Sequence, residues 1–177
     1  GRSYAINHAL GWHTATPNSD GQGSPVLLRA EVPSVEMMES QVGLFVESRE
    51  FVVDSAGVGQ KRGAPAIRQV LRLPGYQLLL SAFSEGAVNT APGSNGGGSG
   101  SGNSIIIGSG TPEERTLGVG EVAHRVIMQG GERLTIVYGG GGGWGDPILR
   151  EAALIGDDLE DGLLTVAGAE VAYGRKQ

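Results

Sequence analysis

The sequence predicts a mainly β fold, built of strands and hairpins in one compact domain, that ends in a short α-helical tail. Three observations carry that expectation. Short runs alternate apolar and polar residues with the period of two that a half-buried strand requires. Clusters of Gly, Pro, Asn, Asp and Ser separate those runs, as turns do. After Pro147 the apolar spacing becomes helical. The expected division is a β-rich 1–146 and a helical 147–177 within a single domain over 1–177.

Taken in order, residues 1–24 are polar and turn-rich, with His8, Trp12 and His13 close together and a loop at Thr16-Pro17-Asn18-Ser19-Asp20-Gly21. Residues 26–31 and stretches within 42–53 read as strands, and 35–40 as a short helical turn. A second turn-rich stretch covers 54–63. In 67–73, Ile67, Gln69, Leu71 and Leu73 share one face and Arg68, Val70 and Arg72 the other; with 77–83 after Pro74-Gly75 they read as a hairpin. Residues 93–102 hold six glycines, three serines and one asparagine, the composition of a flexible linker. The Ile105-Ile106-Ile107 run that follows ties its far side to a core, so a long surface loop within one domain is expected instead. Val122–Met128 and Arg133–Tyr138 read as the clearest hairpin, turned by Gln129-Gly130-Gly131-Glu132.

The stretch Gly139-Gly140-Gly141-Gly142-Gly143-Trp144-Gly145-Asp146-Pro147 follows that last strand, with Asp146 as N-cap and Pro147 at the first helical position. Strand, glycine loop and helix start together suit an anion. No Gly-Lys-Ser/Thr follows, however, and no acidic residue stands where a dinucleotide fingerprint needs one. The preferred reading is structural: the glycines allow close backbone packing, with Trp144 as an anchor. In the tail, Leu154, Ile155, Leu159 and Leu163 form a stripe, with Glu151, Asp157, Asp158, Glu160 and Asp161 mostly outward. Gly162 ends this helix, and Thr165 caps a last one, 166–173, closed by Gly174.

Composition narrows the function. Glycine fills 32 of 177 positions, against a usual ~7%, but without the three-residue repeat of collagen. A net charge of −6 with dispersed basic residues argues against nucleic acid as a partner. The absence of cysteine excludes disulfides and thiol chemistry, no apolar run approaches the ~20 residues of a membrane span, and a soluble cytoplasmic protein is expected. The chain starts at Gly1-Arg2-Ser3 without a methionine and reads as a piece of something longer.

Candidate chemistry is sparse. His8 and His13 would need a third ligand, such as Asp20, to hold a metal, and exposed or packing histidines are the simpler reading. His124 sits beside Arg125 in a strand and faces solvent. Asp54 and Arg62 bracket a glycine turn, where they either contact a substrate or stitch the turn closed, the second being favoured. No Gly-x-Ser-x-Gly elbow falls on a strand-to-helix turn. No catalytic residue and no metal site is assigned, and no complete active site is expected.

Two stretches resemble one family closely. The run from Gly139 to Pro147, with Leu159-Glu160-Asp161-Gly162-Leu163-Leu164-Thr165 and Ala172-Tyr173-Gly174, is similar to the carboxyl-terminal signature of hydantoinase B subunits. Asp54-Ser55-Ala56-Gly57-Val58-Gly59 with Arg62-Gly63 resembles that family's Asp-Ser-Gly-Gly-x-Gly motif; Trp12-His13-Thr14 and Ser24-Pro25-Val26 fall where it has His-Thr-His and Asn-Thr-Pro-Val. Ala15 and Ala56 depart from it, standing for a histidine and a glycine. The resemblance implies the carboxyl-terminal part of a B subunit in an ATP-dependent cyclic-amide hydrolase of the hydantoinase and 5-oxoprolinase kind, or in a related ketone carboxylase. A noncatalytic assembly subunit is the rival reading. It further implies a hydantoinase A-like ATP-binding partner, an upstream remainder of the B subunit, and ATP and a divalent metal bound in that remainder and partner, with no cofactor on this chain. His13, Asp54 and Arg62 are its candidate contributors to a shared substrate cavity; Gly139, Gly140, Gly141, Gly142, Gly143, Trp144, Gly145 and Asp146 form its structural loop.

Overall fold

The computed structural model describes residues 13–22, 34–118 and 121–174. A helical turn, α1 (Val35–Met37), widens into a π turn over Met38–Val42 and leads into β1 (Phe45–Phe51). Then come β2 (Ile67–Arg72), β3 (Leu78–Phe83), β4 (Ser104–Ile107), β5 (Arg115–Thr116), β6 (Val122–Met128) and β7 (Arg133–Tyr138), followed by α2 (Ala152–Glu160) and α3 (Val166–Tyr173). The fold is therefore mainly β, with two helices close to the carboxyl-terminal end. All pairings are antiparallel, in a five-stranded sheet ordered β1-β2-β7-β4-β5 and a two-stranded sheet of β3 and β6. The strand expected over 26–31 lies outside the described residues.

The faces of β2 alternate as its sequence requires, with Ile67, Gln69 and Leu71 buried and Arg68 exposed. Its partner is another matter. Neither expected hairpin forms: β2 pairs with β7, and β3 with β6. The register runs from Ile67 opposite Tyr138 to Arg72 opposite Arg133, and resumes with Leu78 opposite Met128. Between the two ladders Leu73 N donates to Glu132 O (2.9 Å) and Gly131 N to Pro74 O (3.3 Å). Pro74-Gly75 and Gln129-Gly130-Gly131-Glu132 are thus facing corners at which two long antiparallel chains step together from one sheet to the other. Their glycines are needed for that approach, since a Cβ on Gly130 would lie 2.5 Å from the Gly75 carbonyl carbon and Gly131 takes φ +89°. Turn chemistry specified a change of direction, and pairing across the corner decided the partners.

Both sheets share one apolar core, in which Leu71, Ile107 and Leu134 meet Ala123 and Met128, with Met38 and Leu44 closing the end before β1. Of the isoleucine run, Ile105 and Ile107 are buried and Ile106 half-buried.

The remainder is held together without strands. Residues 139–145 leave β7 and run among three other extended segments, 13–21, 55–64 and 91–101. Gly140 N and Gly143 N donate to Ser101 O (3.1 Å) and Gly98 O (2.9 Å), while Gly141 N and Trp144 N donate to Ala64 O (2.9 Å) and Lys61 O (2.8 Å). Ala15 N donates to Gly142 O at 2.8 Å. Donors three residues apart thus reach the same neighbour, the spacing of a polyproline-II-like chain, which has three residues per turn and no internal hydrogen bonds. The outer segments join in the same way, Gly98 N to Val58 O (2.7 Å) and Ser101 N to Ser55 O (3.0 Å). Chains this close leave no room for side chains: a Cβ on Gly57 would stand 2.5 Å from Gly98 O and 2.6 Å from Gly143 N. Segment 93–102 is accordingly not a loose surface loop. Its Gly100 is buried inside this bundle, and only residues such as Ser94, Asn95 and Ser99 face out. The bundle is pinned through the backbone of Trp144, whose side chain is half-buried.

Asp146 caps as expected, its Oδ1 accepting from Ile148 N (3.0 Å), but it starts only a 3-10 turn, Pro147–Leu149. Arg150 is extended (ψ 132°), and α2 begins afresh at Ala152. Gly162 (φ +69°) follows that helix, and α3 starts on Thr165, whose Oγ1 accepts from Gly168 N (2.9 Å), and stops at Gly174 (φ +64°). Ile155, Ala169 and Tyr173 make a second apolar cluster with Val58 and Leu164.

Candidate functional site: a charge-locked cavity beside the tail

The break in the tail helix has a cause. Arg150, fully buried, turns its guanidinium inward to two carboxylates: Nη1 and Nη2 donate to Asp20 Oδ1 (2.9 Å) and Oδ2 (2.8 Å), and Nη2 also to Asp158 Oδ2 (2.7 Å). Arg62 completes the cluster. Its Nε donates to Asp158 Oδ1 (2.7 Å), its Nη1 to Gly63 O (3.1 Å), and its backbone N to Asp20 Oδ1 (2.9 Å). The Tyr173 ring lies 5.8 Å from Arg150 Cζ, within cation–π range. Two arginines thus balance two aspartates at the seam of first loop, glycine bundle and tail.

The electrostatics follow. Burial works to raise the Asp20 pKa, but the hydrogen bonds and charges of Arg150 and Arg62 outweigh it and hold the carboxyl below its usual 3.8. Burial likewise opposes charge on Arg150, and Asp20 and Asp158 more than reverse this, so the guanidinium stays protonated. The Tyr173 hydroxyl is pushed up by burial against the pull of Arg150.

Two cavities flank Arg62 and Leu163. One, of 370 Å³, is lined also by Asp20, Gln22, Phe51 and Pro65. The other, of 380 Å³, presents Asp54, Asp158 and Tyr173 beside Val58, Leu164 and Val171. Asp54 and Arg62 therefore line one cavity without pairing with each other. Asp54, at φ +57°, aims its carboxylate at the start of α3, where Oδ1 accepts from Thr165 N (2.8 Å) and Oδ2 from Thr165 Oγ1 (2.7 Å). Thr165→Ala removes the cap and the hydroxyl's bond to Asp54 Oδ2 while keeping the backbone one, and should lower stability by about 1–2 kcal/mol, read as a shift of the denaturation midpoint at unchanged slope. His13 is exposed, and its carbonyl accepts from Ala64 N (2.9 Å); it lines neither cavity. His124 is exposed on β6, and His8 lies outside the described residues.

These residues do not fit a metal or a nucleotide phosphate. Asp20, the carboxylate nearest in sequence to His13, is spent on Arg150, and among the described residues no group of three or more His, Asp or Glu could hold a metal ion. In the glycine run, Gly140, Gly141, Gly143, Trp144 and Gly145 already donate to protein carbonyls, so the backbone N–H groups that would cradle a phosphate are engaged.

Arg150 was not singled out from the sequence, and Asp158 was grouped with outward carboxylates. The second had a signal. Position 158 lies four residues after Leu154 and three after Ile155, on the apolar stripe itself, and it is buried to 4% exposure. A carboxylate there requires a buried cation.

The fold is thus a mainly β scaffold around a glycine bundle, carrying a helical tail locked on by charge. Residues 3–147 match the Hydantoinase B/oxoprolinase family, and the chain belongs to it. It is 30% identical over 152 residues to the caprolactamase subunit beta of Pseudomonas jessenii, a match that covers 79% of this chain and 24% of that protein. The crystal structure of the ATP-dependent caprolactamase from Pseudomonas jessenii shares the fold with a TM-score of 0.77 at 22% identity, over 93% of this chain and 29% of that one. A nucleotide-free acetone carboxylase, described as part of ATP-dependent acetone carboxylation, shares it with a TM-score of 0.66 at 18% identity, over 92% and 26%. The chain therefore spans about a quarter of the length of these relatives. No helix among the described residues is long and apolar enough to cross a membrane.

Proposed function

We propose that this chain forms part of an ATP-dependent cyclic-amide hydrolase, working in the cytoplasm beside a hydantoinase A-like ATP-binding subunit and further B-type polypeptide. What supports the reading is the 30% identity to a caprolactamase subunit beta within the Hydantoinase B/oxoprolinase family. ATP and a divalent metal would be held by the ATP-binding subunit and the further B-type polypeptide, a reading supported by the engagement of Asp20 and Asp158 with arginines and of Gly140, Gly141 and Gly143 N–H with protein carbonyls. The contribution of this chain is assembly surface and part of a cavity wall. In the 380 Å³ cavity, Val58, Leu164 and Val171 offer aliphatic contact for a ring, and Arg62 and Asp54 polar contact at its edge. A second reading, ATP-dependent ketone carboxylation, is favoured by the fold shared with acetone carboxylase.

The test is an assay of the intact assembly purified from its source. With ATP, it is offered caprolactam, 5-oxoproline and hydantoin, and separately acetone with bicarbonate. Ring-opened product formed only with ATP is the expected outcome; carboxylated ketone instead would establish the second reading, and neither product would overturn both.

A further inference from the structure

The ladder of β3 and β6 buries one face and leaves the other open. Leu78, Leu80, Ala82, Ala123, Val126 and Met128 turn toward the core. On the opposite side Leu79 stands across from Ile127, and Phe83 across from Val122. These four are 57, 56, 73 and 63% exposed. Single exposed apolar residues are ordinary, but two cross-strand pairs on one solvent face are not.

The two pairs are separated by a bulge. Ser81 faces both His124 and Arg125, and Arg125 takes φ +52°, a conformation that long side chains rarely adopt, with its backbone N donating to Ser81 Oγ (3.2 Å). Every other arginine among the described residues has a hydrogen bond or an ion pair; the Arg125 side chain has neither. A free guanidinium is thus held between two apolar pairs, by backbone that local sequence does not favour.

We infer that this face docks onto B-type polypeptide outside these 177 residues, through a patch in which apolar side chains flank a carboxylate that pairs with Arg125. The inference rests on the proposed membership of a B-type assembly. Relatives supply the occupant's source, because the chain spans only 24% of the caprolactamase subunit beta, and a surface of this kind suits a permanent contact rather than a soluble ligand.

The intact assembly tests it, carrying Phe83→p-benzoylphenylalanine and irradiated before peptide mapping. Cross-links to B-type polypeptide outside the 177 residues are expected. Cross-links to a second copy of this chain, to the ATP-binding subunit, or to nothing would overturn the inference. In parallel, Arg125→Glu should reduce the yield of that cross-link at least tenfold with the total soluble chain unchanged, and Arg125→Lys should restore it; an unchanged yield in Arg125→Glu would count against the docking. Assaying the same preparations keeps the two readings apart. An assembly that opens lactams but gives no such cross-link sinks the docking alone, whereas the cross-link in an assembly with no ATP-dependent activity sinks the enzymatic reading alone.

Discussion

Arg150→Ala should destabilise the chain by about 3–5 kcal/mol, the cost of leaving buried charge without its partner. The side chain is fully buried, and its removal leaves the carboxylates of Asp20 and Asp158 facing each other with only Arg62 between them. The effect is measured by equilibrium denaturation. A loss under 1 kcal/mol would mean that the cluster is hydrated and the geometry irrelevant to stability. The pH dependence supplies a second arm. The folded pKa of Asp20 is depressed below 3.8, so its contribution is complete above that value and is lost as pH falls through the lower folded one. The contribution of Asp20 should therefore persist from neutral pH down to about 4. In Arg150→Ala the Asp20 carboxyl is held down less, so this acid-dependent loss should shrink, and where burial lifts its pKa above 3.8 acidification should recover stability instead.

Gly141→Ala should be as damaging for a different reason. A Cβ there meets the carbonyl of His13, with its carbon at 2.5 Å, and Ala64 N at 3.0 Å. These are backbone atoms in a hydrogen-bonded array, so no rotamer change relieves the overlap. Overpacking commonly costs 1–3 kcal/mol; with four segments locked together the expected loss is at the upper end, about 3 kcal/mol or more. Gly156→Ala is the control. Nothing lies within 4 Å of a Cβ there, it sits inside α2, and alanine should stabilise it by up to about 1 kcal/mol. Thermal unfolding of the two variants should move in opposite directions. Equal midpoints would contradict the packing described for the bundle.

What could be read from the sequence was whatever local chemistry fixes. The alternation of β2, the Thr165 cap and the glycines that end α2 and α3 all depend on neighbours a few residues away, and the structure has them where expected, whereas β7, between two neighbours in the sheet, buries Thr135 as well as Leu134. The two hairpins were misread because Pro-Gly and Gly-Gly report a corner, and a corner between two sheets has the same chemistry as a turn within one. The bundle escaped because its threefold period belongs to hydrogen bonds among four separate segments, so no one stretch repeats every three residues. The charged cluster escaped for the same reason: Arg62 meets Asp158 across 96 positions, and Arg150 meets Asp20 across 130. Asp54 and Arg62 were recognised as a pair of interest, but their real partners, Thr165 and Asp158, lie in the tail.

The bundle also bears on how the chain reaches its fold. Residues 139–145 find their acceptors and donors at Ala15, Ala64 and Gly98, all made much earlier during synthesis. Until the central segment leaves the ribosome, the three outer ones lack the chain that gathers them, and glycine offers little apolar surface to collapse on in the meantime. Each glycine also has the most backbone freedom to lose. Ordering here is therefore non-local and entropically late, in the regime where folding slows with the sequence distance between contacts. The apolar core can condense while the bundle still waits for its last member.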